Sequence, residues 1–430
     1  MKRIILIIFM IAASCQAYSQ QVLTLKECYR QAGEKNALAL EQQAYTEIWQ
    51  LKDKNLSKGW LPTLDANGSF VYNSSVIDLS DMMGALPIPG ISDLIPALPH
   101  EQYKVTVDIN QVIYDGGAIK ATRALEKADL AVNRKQTETD LYKLRSQING
   151  YYFNLLLLER QKELLDNYLQ LINKRIGSMK SALHEGIILK SDLDVLTAEQ
   201  IRLEQQITEN EIRKSALIKI LSGMIGVDID NLTTLVLPEP TEEFSHDLLR
   251  PELEIFDLRN EQLSATRAVI QSKRMPRAFG FATLGYGNPP GNNFFRDEFA
   301  PYAVLGAGVK WNILDWNKVK NEQQVISLQQ GILENRKTDL TDNLTRMLDA
   351  KQAEIASLKT LIETDTGLIE IRKRITAAAE SQYDNGTLTA TEYLQELNTE
   401  KQAVINHEIH IINLALARIE YLNISGKEIE

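Results

Sequence analysis

The stretch that decides the fold is Leu144–Gly186, LRSQINGYYFNLLLLERQKELLDNYLQLINKRIGSMKSALHEG. Its apolar residues recur alternately four and three positions apart, and only Lys162 interrupts the series: Leu144, Ile148, Tyr151, Leu155, Leu158, Leu165, Leu169, Ile172, Ile176, Met179 and Leu183. A repeat of about 3.5 residues keeps one helix face against a partner helix in a left-handed coil. The pattern predicts one helix of roughly 100 Å from Asp115 to Leu183, at about 1.5 Å per residue.

A tight turn follows this helix at Gly186, which can adopt the left-handed conformation that ends many helices. Ser191 and Asp192 are residue types that cap a helix N-terminus, so we expect a second helix to start there. Its apolar series is Leu193, Leu196, Leu203 and Ile207. The stretch therefore predicts a very long antiparallel helical hairpin.

The same pattern returns 200 residues later, as the spacing of Gly186 and Gly386 shows. Asp192 corresponds to Glu392, and Ile113–Gly116 (IYDG) corresponds to Ile313–Trp316 (ILDW). The second apolar series is Leu340, Leu344, Met347, Leu358, Leu361, Leu368 and Ile375, and its return helix has Ile405, Ile409, Ile412, Leu416 and Ile419. A strand end, a helix start and a turn thus each recur at the same spacing of 200 residues, which indicates an internal duplication.

Before each hairpin the periodicity changes from helical to alternating. Residues 64–72 and 103–109 alternate apolar and polar side chains, and 277–287 and 303–313 repeat this in the second half. Alternation over about ten residues is typical of a half-buried strand, and that length crosses a bilayer when tilted. Long loops at 77–100 and 288–300 separate the strands, as the outer loops of membrane barrels do.

The N-terminal residues 1–19 have the organisation of a secretory signal peptide, with Lys2 and Arg3 before the apolar run Ile4–Ala13. Cys15 supports a competing interpretation, cleavage before an acylated cysteine. After ordinary cleavage only Cys28 remains, so no disulfide forms within one chain.

The net charge of −10 over 430 residues argues against nucleic acid as a partner.

Each half therefore has the order helix, strand, loop, strand and long helical hairpin. We predict a signal peptide at 1–19, a first structural repeat at 20–226, a linker at 227–250, a second repeat at 251–422 and a tail at 423–430. Thr24 and Glu27 form a capping box for the first helix, which we expect to run to about Trp60.

Four strands cannot close into a barrel, and an open strand edge in lipid leaves backbone groups unpaired at several kcal/mol each. Barrels need about eight strands or more. Several copies of the chain must therefore pool their strands, and the long helical hairpins must pack into a shared bundle.

The ordered motifs of this duplicated chain resemble those of the TolC-type outer-membrane efflux proteins (outer membrane factors) over nearly the whole mature sequence. The motifs that carry the resemblance are Leu23–Glu27 (LTLKE), Trp60–Pro62 (WLP), Ile113–Gly117 (IYDGG), Gly186 with Asp194–Ala198 (DVLTA), Arg250–Leu253 (RPEL), and Tyr383 through Gly386 to Glu392.

The resemblance implies a mainly α fold in which duplicated helical hairpins form an α-barrel. It also implies a homotrimer in which four strands per chain build a shared 12-stranded outer-membrane β-barrel. The implied function is a channel in the outer membrane of a Gram-negative bacterium, the exit of a tripartite efflux or type I secretion system for drugs, ions or secreted proteins. The implied partners are a periplasmic adaptor (membrane fusion protein), an inner-membrane pump and outer-membrane lipid, without any cofactor or chemistry of its own.

The hairpin tips, at Gly186 and Gly386, hold the candidate periplasmic aperture. Asp192 and Glu392 either cap their helices or, copied by symmetry, form carboxylate rings that select cations. In the family, a tyrosine, an arginine and acidic residues at the second tip close the mouth. The matching residues are Tyr383 and Glu392, whereas Leu388 and Gln395 replace the arginine and a second acid. Asp194 is a further candidate for the aperture.

Two competing functions remain for the chain besides the channel. One is a periplasmic coiled-coil adaptor or scaffold without a membrane barrel, although adaptors typically carry one hairpin. The other is a surface adhesin, although adhesins place their barrel strands together at one terminus.

No motif of a hydrolase, nucleotide-binding loop or zinc protease is present in the sequence. His407 and His410 could face one metal ion, but a site needs further ligands, so we expect no metal.

Overall fold

The structure, a computed structural model, describes residues 22–76, 99–186, 188–230, 233–239, 246–293 and 296–429. The predicted signal peptide, Cys15 and nearly all of the loop predicted at 77–100 lie outside these residues. Among the residues described, no helix combines the length and the apolar composition of a membrane span.

Helices make up most of the described chain. The helices are α1 (Leu25–Lys35), α2 (Ala37–Ser57), α3 (Ala118–His184), α4 (Lys190–Ile225), α5 (Pro251–Ser272), α6 (Lys318–Asp384) and α7 (Ala390–Ser425). The strands are β1 (Val22–Leu23), β2 (Thr63–Tyr72), β3 (Glu101–Tyr114), β4 (Thr234–Leu235), β5 (Arg277–Asn288) and β6 (Ala300–Lys310). The predicted fold class, mainly α with four long strands per chain, is confirmed.

The two helical hairpins have matching dimensions. Helices α3 and α6 each contain 67 residues, and α4 and α7 each contain 36. Corresponding helices start 200 positions apart, at Ala118 and Lys318 and at Lys190 and Ala390. An internal duplication produces this arrangement, in which two helical hairpins of identical helix lengths follow each other at a spacing of 200 residues.

The first helix differs from its prediction, because it breaks into α1 and α2 instead of running unbroken to Trp60. Asn36 has an extended backbone (φ −67°, ψ 141°), and its side-chain oxygen accepts from the Leu38 N–H at 3.0 Å. Asparagine competes with helical hydrogen bonds in this way, so it ends one helix and starts the next. The predicted cap is present, since the Thr24 hydroxyl accepts from the Glu27 N–H at 3.2 Å.

One antiparallel sheet has the order β2-β3-β5-β6. Its register places Leu64 opposite Ile109 and Val105 opposite Tyr286, so apolar side chains of neighbouring strands share one face. That face is open in the single chain, where Leu64, Val105 and Leu305 are 67%, 64% and 87% exposed. An apolar sheet face of this size requires cover from lipid or protein.

The opposite face of the sheet is polar and carries aromatic rings over glycines. The Asp108 carboxylate accepts from the Thr283 hydroxyl at 2.6 Å and from the Asn67 amide at 2.7 Å. The ring of Phe281 lies where a Cβ on Gly306 would be. The alternation predicted from the sequence thus separates an apolar face from a polar face.

The last strand is displaced by three residues from the interval predicted at 303–313, because β6 begins at Ala300 and ends at Lys310. Trp311 and Ile313 were expected on its apolar face but follow the strand in irregular backbone. The Trp311 indole N–H donates to the Arg274 carbonyl oxygen at 3.0 Å, which attaches this segment to the turn before β5.

Matching corners lead from the sheet into the long helices. Asp115 accepts from the backbone N–H groups of Gly117 and Ile119, and Asp315 accepts from that of Val319. Two successive residues at each corner have positive φ values: Gly116 (72°), Gly117 (84°), Trp316 (51°) and Asn317 (62°). Because non-glycine residues rarely adopt such values, the second corner retains the geometry at a cost in backbone strain.

The chain divides into two compact units, one of Met1–Gln43, Lys135–Ile255 and Arg336–Glu430 and the other of Ala44–Arg134 and Phe256–Asn335. In the first unit, the predicted linker at 227–250 contributes β4, which pairs in parallel with β1. Tyr152 is fully buried beneath this pair, and its hydroxyl lies 2.7 Å from the Val236 carbonyl oxygen.

The C-terminal residues 423–430, predicted as a tail, belong in part to the last helix and to the core. Helix α7 continues to Ser425, and Ile424 and Ile429 are buried in the core. The Glu428 carboxylate pairs with the Arg145 guanidinium at 2.7 Å. The alternation of apolar and polar residues in this short segment therefore reflects packing against the long helices.

Candidate functional site

The two hairpin tips share a glycine turn but differ in their caps. Gly186 and Gly386 have φ values of 75° and 71°, the left-handed conformation predicted for both. At the second tip, Thr389 and Glu392 form a reciprocal capping box. At the first tip, α4 begins at Lys190, one residue before the predicted cap Ser191, and Asp192 accepts from the Leu189 N–H at 3.3 Å. Leucine has no side-chain acceptor, so only half of the box forms there.

The acidic residues predicted for the aperture occupy different environments. Glu392 is exposed, and the hydrogen bond from the Thr389 N–H, with that from its hydroxyl, lowers the pKa of the Glu392 carboxyl. Asp194 is exposed to solvent, whereas Asp192 is half-buried. Glu392 therefore acts as a cap in this conformation, and Asp192 is the acid that faces a neighbouring group.

That neighbour is Tyr383, which stacks on Tyr393 at the base of the second tip. The ring centroids are 5.6 Å apart with an interplanar angle of 16°. The Tyr383 hydroxyl lies 3.3 Å from the sulfur of Met179 on α3. The two rings and the thioether belong to both hairpins, so they join the two tips within one chain.

Arg175 of α3 covers both rings. Its guanidinium carbon is 5.2 Å from the Tyr383 centroid and 5.3 Å from the Tyr393 centroid, within the range of cation–π attraction. Its Nη2 lies 2.8 Å from Asp384 Oδ1 and 3.7 Å from Glu380 Oε1. The 2.8 Å contact is an ion pair without hydrogen-bond geometry, since Arg175 Nη2 has no hydrogen-bond partner among the described residues. The arginine thus binds the second hairpin by charge and by ring contact. We call Arg175, Tyr383, Tyr393 and Asp384 the tip cluster.

Burial raises the pKa values of both tyrosines in this cluster. The pKa of Tyr393 rises to about 12, chiefly through desolvation and secondly through the charge of Glu380. The pKa of Tyr383 also rises, chiefly through desolvation and secondly through the charge of Asp192, while Arg175 opposes this rise. Both hydroxyls therefore stay protonated at physiological pH, and the rings face Arg175 as neutral aromatics.

A cleft of about 490 Å³ opens beside the tip cluster. Asp192, Tyr383 and Gly386 line it together with Arg175 and Asp384. Glu392 and Asp194 do not line this cleft in the described part of the chain. The structure therefore unites two of the four predicted aperture residues, Asp192 and Tyr383, and leaves the other two at the surface.

Arg175 and Tyr393 were absent from the sequence prediction. Arg175 directly precedes Ile176 of the apolar series, a position that flanks the helix–helix contact and favours ion pairs between helices. Asp384 and Glu380 lie on the matching level of the second hairpin, just before Gly386. Opposite charges beside the aligned apolar series of the two long helices are the sequence signal that could have identified the tip cluster. Leu388 has no positive charge, whereas Arg175 of the first hairpin brings one to the second tip.

The two histidines considered as metal ligands face a single carboxylate. His410 Nδ1 is 2.6 Å from Asp365 Oδ2, and His407 Nδ1 is 3.9 Å from the same oxygen. Within the ranges that the structure describes, no group of three or more metal-binding side chains is close enough to hold an ion.

The chain matches no family model and no curated protein sequence. Its fold is nevertheless similar to those of several solved structures. CusC, studied for its transmembrane channel formation, has a TM-score of 0.70 at 12% identity, over 94% of this chain and 92% of that chain. The CmeC outer membrane channel of Campylobacter jejuni has a TM-score of 0.67 at 14% identity, over 94% of this chain and 86% of that chain.

The outer membrane protein VceC of Vibrio cholerae has a TM-score of 0.65 at 13% identity, over 94% of this chain and 97% of that chain. At such identities the likeness shows the fold alone. It extends from the strands through both hairpins, because it covers almost the full length of each protein. From the paired hairpins, the shared sheet and these matches, we conclude that the chain has the TolC-type outer-membrane-factor fold.

Proposed function

We propose that the protein is a trimeric channel in the outer membrane of a Gram-negative bacterium. The observation that carries this proposal is the four-stranded sheet with two free edges. Strands β2 and β6 each pair with one neighbour in the described chain. Their free backbone groups and the exposed apolar face have the properties of a segment of a larger barrel.

The strand directions allow such a barrel to close. Neighbouring strands in β2-β3-β5-β6 are all antiparallel, so β2 and β6 run in opposite directions. The β6 edge of one copy can therefore pair antiparallel with the β2 edge of the next copy. Three copies would give the 12 strands expected from the resemblance, above the lower limit of about eight for a barrel.

The helices also expose an apolar surface suited to other copies. Met347, Leu361, Leu368 and Ile375 of α6 lie seven or fourteen positions apart, and their exposed fractions are 44%, 40%, 45% and 38%. A heptad stripe of this kind packs against another helix in a coiled coil. A surrounding tunnel of hairpins from three copies would bury it.

The neighbouring structure of CmeC supports the transport role, because CmeC is described as an outer membrane channel. By analogy, the chain would be the exit duct of a tripartite efflux or type I secretion system, with a periplasmic adaptor and an inner-membrane pump as partners. It would conduct drugs, ions or secreted proteins without catalysing a reaction.

The tip cluster supports a second part of the proposal, a gate at the periplasmic mouth. Arg175 joins the first hairpin to Tyr383, Tyr393 and Asp384 of the second by contacts of moderate strength. Loss of these contacts would let the hairpins separate and widen the aperture. Asp192 and Tyr383 would then line the passage, and Glu392 and Asp194 would add carboxylates around its rim.

Disulfide cross-linking tests barrel closure directly. In a Cys28→Ala background, Ser69→Cys in β2 would be combined with a cysteine at each successive residue of β6. We expect intermolecular cross-links up to the trimer at the positions where the two edges meet. Lys104→Cys in β3 is the matched control, since this strand is paired on both sides and should form none.

The absence of cross-links at every β6 position would contradict the barrel. A water-soluble protein with the same result would favour the alternative function, a periplasmic coiled-coil adaptor or scaffold. In that case the apolar face of the sheet would be covered by protein in place of lipid.

A further inference from the structure

A second cleft lies where the first strand of the sheet joins the helices. It has a volume of about 400 Å³ and belongs to the unit of Ala44–Arg134 and Phe256–Asn335. Tryptophan rings and charged side chains line it: Trp49, Asp53, Trp60, Lys120, Arg123 and Lys127. The first two are on α2, the third ends the short turn after it, and the last three are on the first turns of α3. We call this space the Trp60 cleft.

The walls of the Trp60 cleft are held together by the chain itself. The Arg123 guanidinium donates to both oxygens of Asp53, from Nε at 2.6 Å and from Nη2 at 2.9 Å, and so joins α3 to α2. A Cβ on Gly59 would lie 2.9 Å from Ile119 Cδ1, so the turn Lys58–Trp60 packs directly on α3. The cleft is therefore already formed in the folded chain.

The charges that line the Trp60 cleft do not balance. Arg123 and Asp53 neutralise each other in one ion pair. Lys120 and Lys127 are exposed, and neither forms an ion pair with another side chain in the part of the chain that the structure describes. They are seven residues apart, about two turns of α3, so both lie on the side of the helix that lines the cleft. Within its described lining, the cleft therefore has two unpaired cations and no unpaired acid.

The Trp60 cleft adjoins the apolar face of the sheet. Gln111 lies two positions after Ile109 in β3, so the alternation of the strand places both on that face. The Gln111 Nε2 donates to the Trp60 carbonyl oxygen at 2.6 Å, which attaches the turn to this end of the sheet. Leu61 and Ile113, 59% and 60% exposed, continue the apolar surface there. A cationic cleft and an open apolar surface thus lie side by side.

The second structural repeat has the same framework without this combination. At the offset of 200 residues, Lys320 matches Lys120, but Ser327 replaces Lys127. The second repeat also has no tryptophan in α5, the helix that precedes its first strand. The packing of a repeat therefore does not require two lysines beside tryptophan, which indicates a separate role for them at this corner.

We propose that the Trp60 cleft binds the head group of one anionic phospholipid per chain. This site rests on the proposed function, because an outer-membrane channel would have lipid against the apolar face of the sheet. The Lys120 and Lys127 ammonium groups contact the phosphate oxygens, since lysine binds phosphate as a compact point charge. Trp60 packs at the level of the glycerol, where tryptophan side chains gather in membranes. The acyl chains extend over Leu61 and Ile113.

The two unpaired lysines distinguish between classes of phospholipid. Phosphatidylethanolamine carries an ammonium group that compensates its own phosphate, whereas phosphatidylglycerol has a net negative charge. One lysine near a membrane surface strengthens the binding of anionic lipid about fivefold, so two lysines together give a factor of about 30. The cleft should therefore prefer phosphatidylglycerol.

Native mass spectrometry of the detergent-purified mature protein, titrated with either phospholipid, tests the site. The wild type should bind up to three phosphatidylglycerol molecules per trimer and should bind phosphatidylethanolamine more weakly. Lys120→Gln combined with Lys127→Gln removes both charges while keeping long polar side chains. We expect this double variant to bind phosphatidylglycerol about 30-fold more weakly and to lose the preference between the two lipids.

Lys318→Gln combined with Lys320→Gln is the matched control. It removes the same charge from the corresponding helix start of the second repeat, where both lysines are exposed and outside the cleft. It should bind phosphatidylglycerol as the wild type does. A wild-type trimer without preference for phosphatidylglycerol, or equal losses in the two double variants, would overturn the lipid site without contradicting the channel. A water-soluble monomer in the same spectra would contradict the channel, and the lipid site with it.

Discussion

At the residue scale, the tip cluster depends on one arginine, Arg175, that contacts two tyrosines and the acid Asp384. Arg175 is partly buried, with 17% of its side chain exposed, so water screens its contacts less than those of a surface arginine. Tyr383 and Tyr393 are neutral at physiological pH, as tyrosines ordinarily are, and burial raises their pKa values further. The contact is therefore stable at neutral pH and is limited in strength, as the proposed reversible gate requires.

Replacing Arg175 with glutamine tests this role. The change should raise the ratio of open to closed channels about 10-fold, since a cation–π contact and an ion pair together contribute about 1–2 kcal/mol. Single-channel recording in planar bilayers measures the ratio. Arg160→Gln is the control, because Arg160 is 57% exposed and pairs within its own helix with Glu163. If the wild type and Arg175→Gln had the same ratio of open to closed channels, Arg175 would not hold the gate closed.

At the element scale, the long hairpins show how far periodicity carries a prediction. The apolar series from Leu144 to Leu183 predicted α3, and most of its members are buried as expected, among them Ile148 at 1% and Leu155 at 0%. The second series differs, because Leu344 and Leu358 are buried whereas Leu361 and Leu368 are exposed. Periodicity identifies a contact face, but it does not distinguish a partner in the same chain from a partner in another copy.

Other features of the elements had no clear signal in the sequence. The break at Asn36 depends on one side chain that competes for a backbone hydrogen bond, within a segment of otherwise helical composition. Arg175 and Asp384 lie 209 positions apart, so only the three-dimensional alignment of the hairpins brings them into contact. Local patterns therefore predicted the elements and turns, whereas long-range pairing of charged side chains emerged from the fold.

The exposed stripe on α6 leads to a prediction about assembly. Leu368→Lys should prevent trimer formation while leaving the helical content of the chain unchanged, because it would place a charge in the contact between copies. Sedimentation and circular dichroism measure the two properties. Thr366→Lys, on the opposite side of the same helix and also exposed, should assemble normally. A stable trimer of Leu368→Lys would mean that the stripe faces solvent or another partner.

At the scale of the whole molecule, the proposed channel places the loops and the tips on opposite sides of the membrane. An epitope tag at Asn292, in the loop between β5 and β6, should be accessible to antibody on intact cells. A tag at Asn385, in the second tip, should be accessible only after the outer membrane is opened. Antibody binding to the Asn385 tag on intact cells would contradict the orientation.

Planar-bilayer conductance of the detergent-purified protein, with its mass determined in parallel, is the decisive measurement. We expect a stable trimer that forms discrete, cation-selective channels, because three four-stranded sheets would close into one barrel and acidic residues would lie around its periplasmic mouth. A water-soluble monomer without conductance would contradict it.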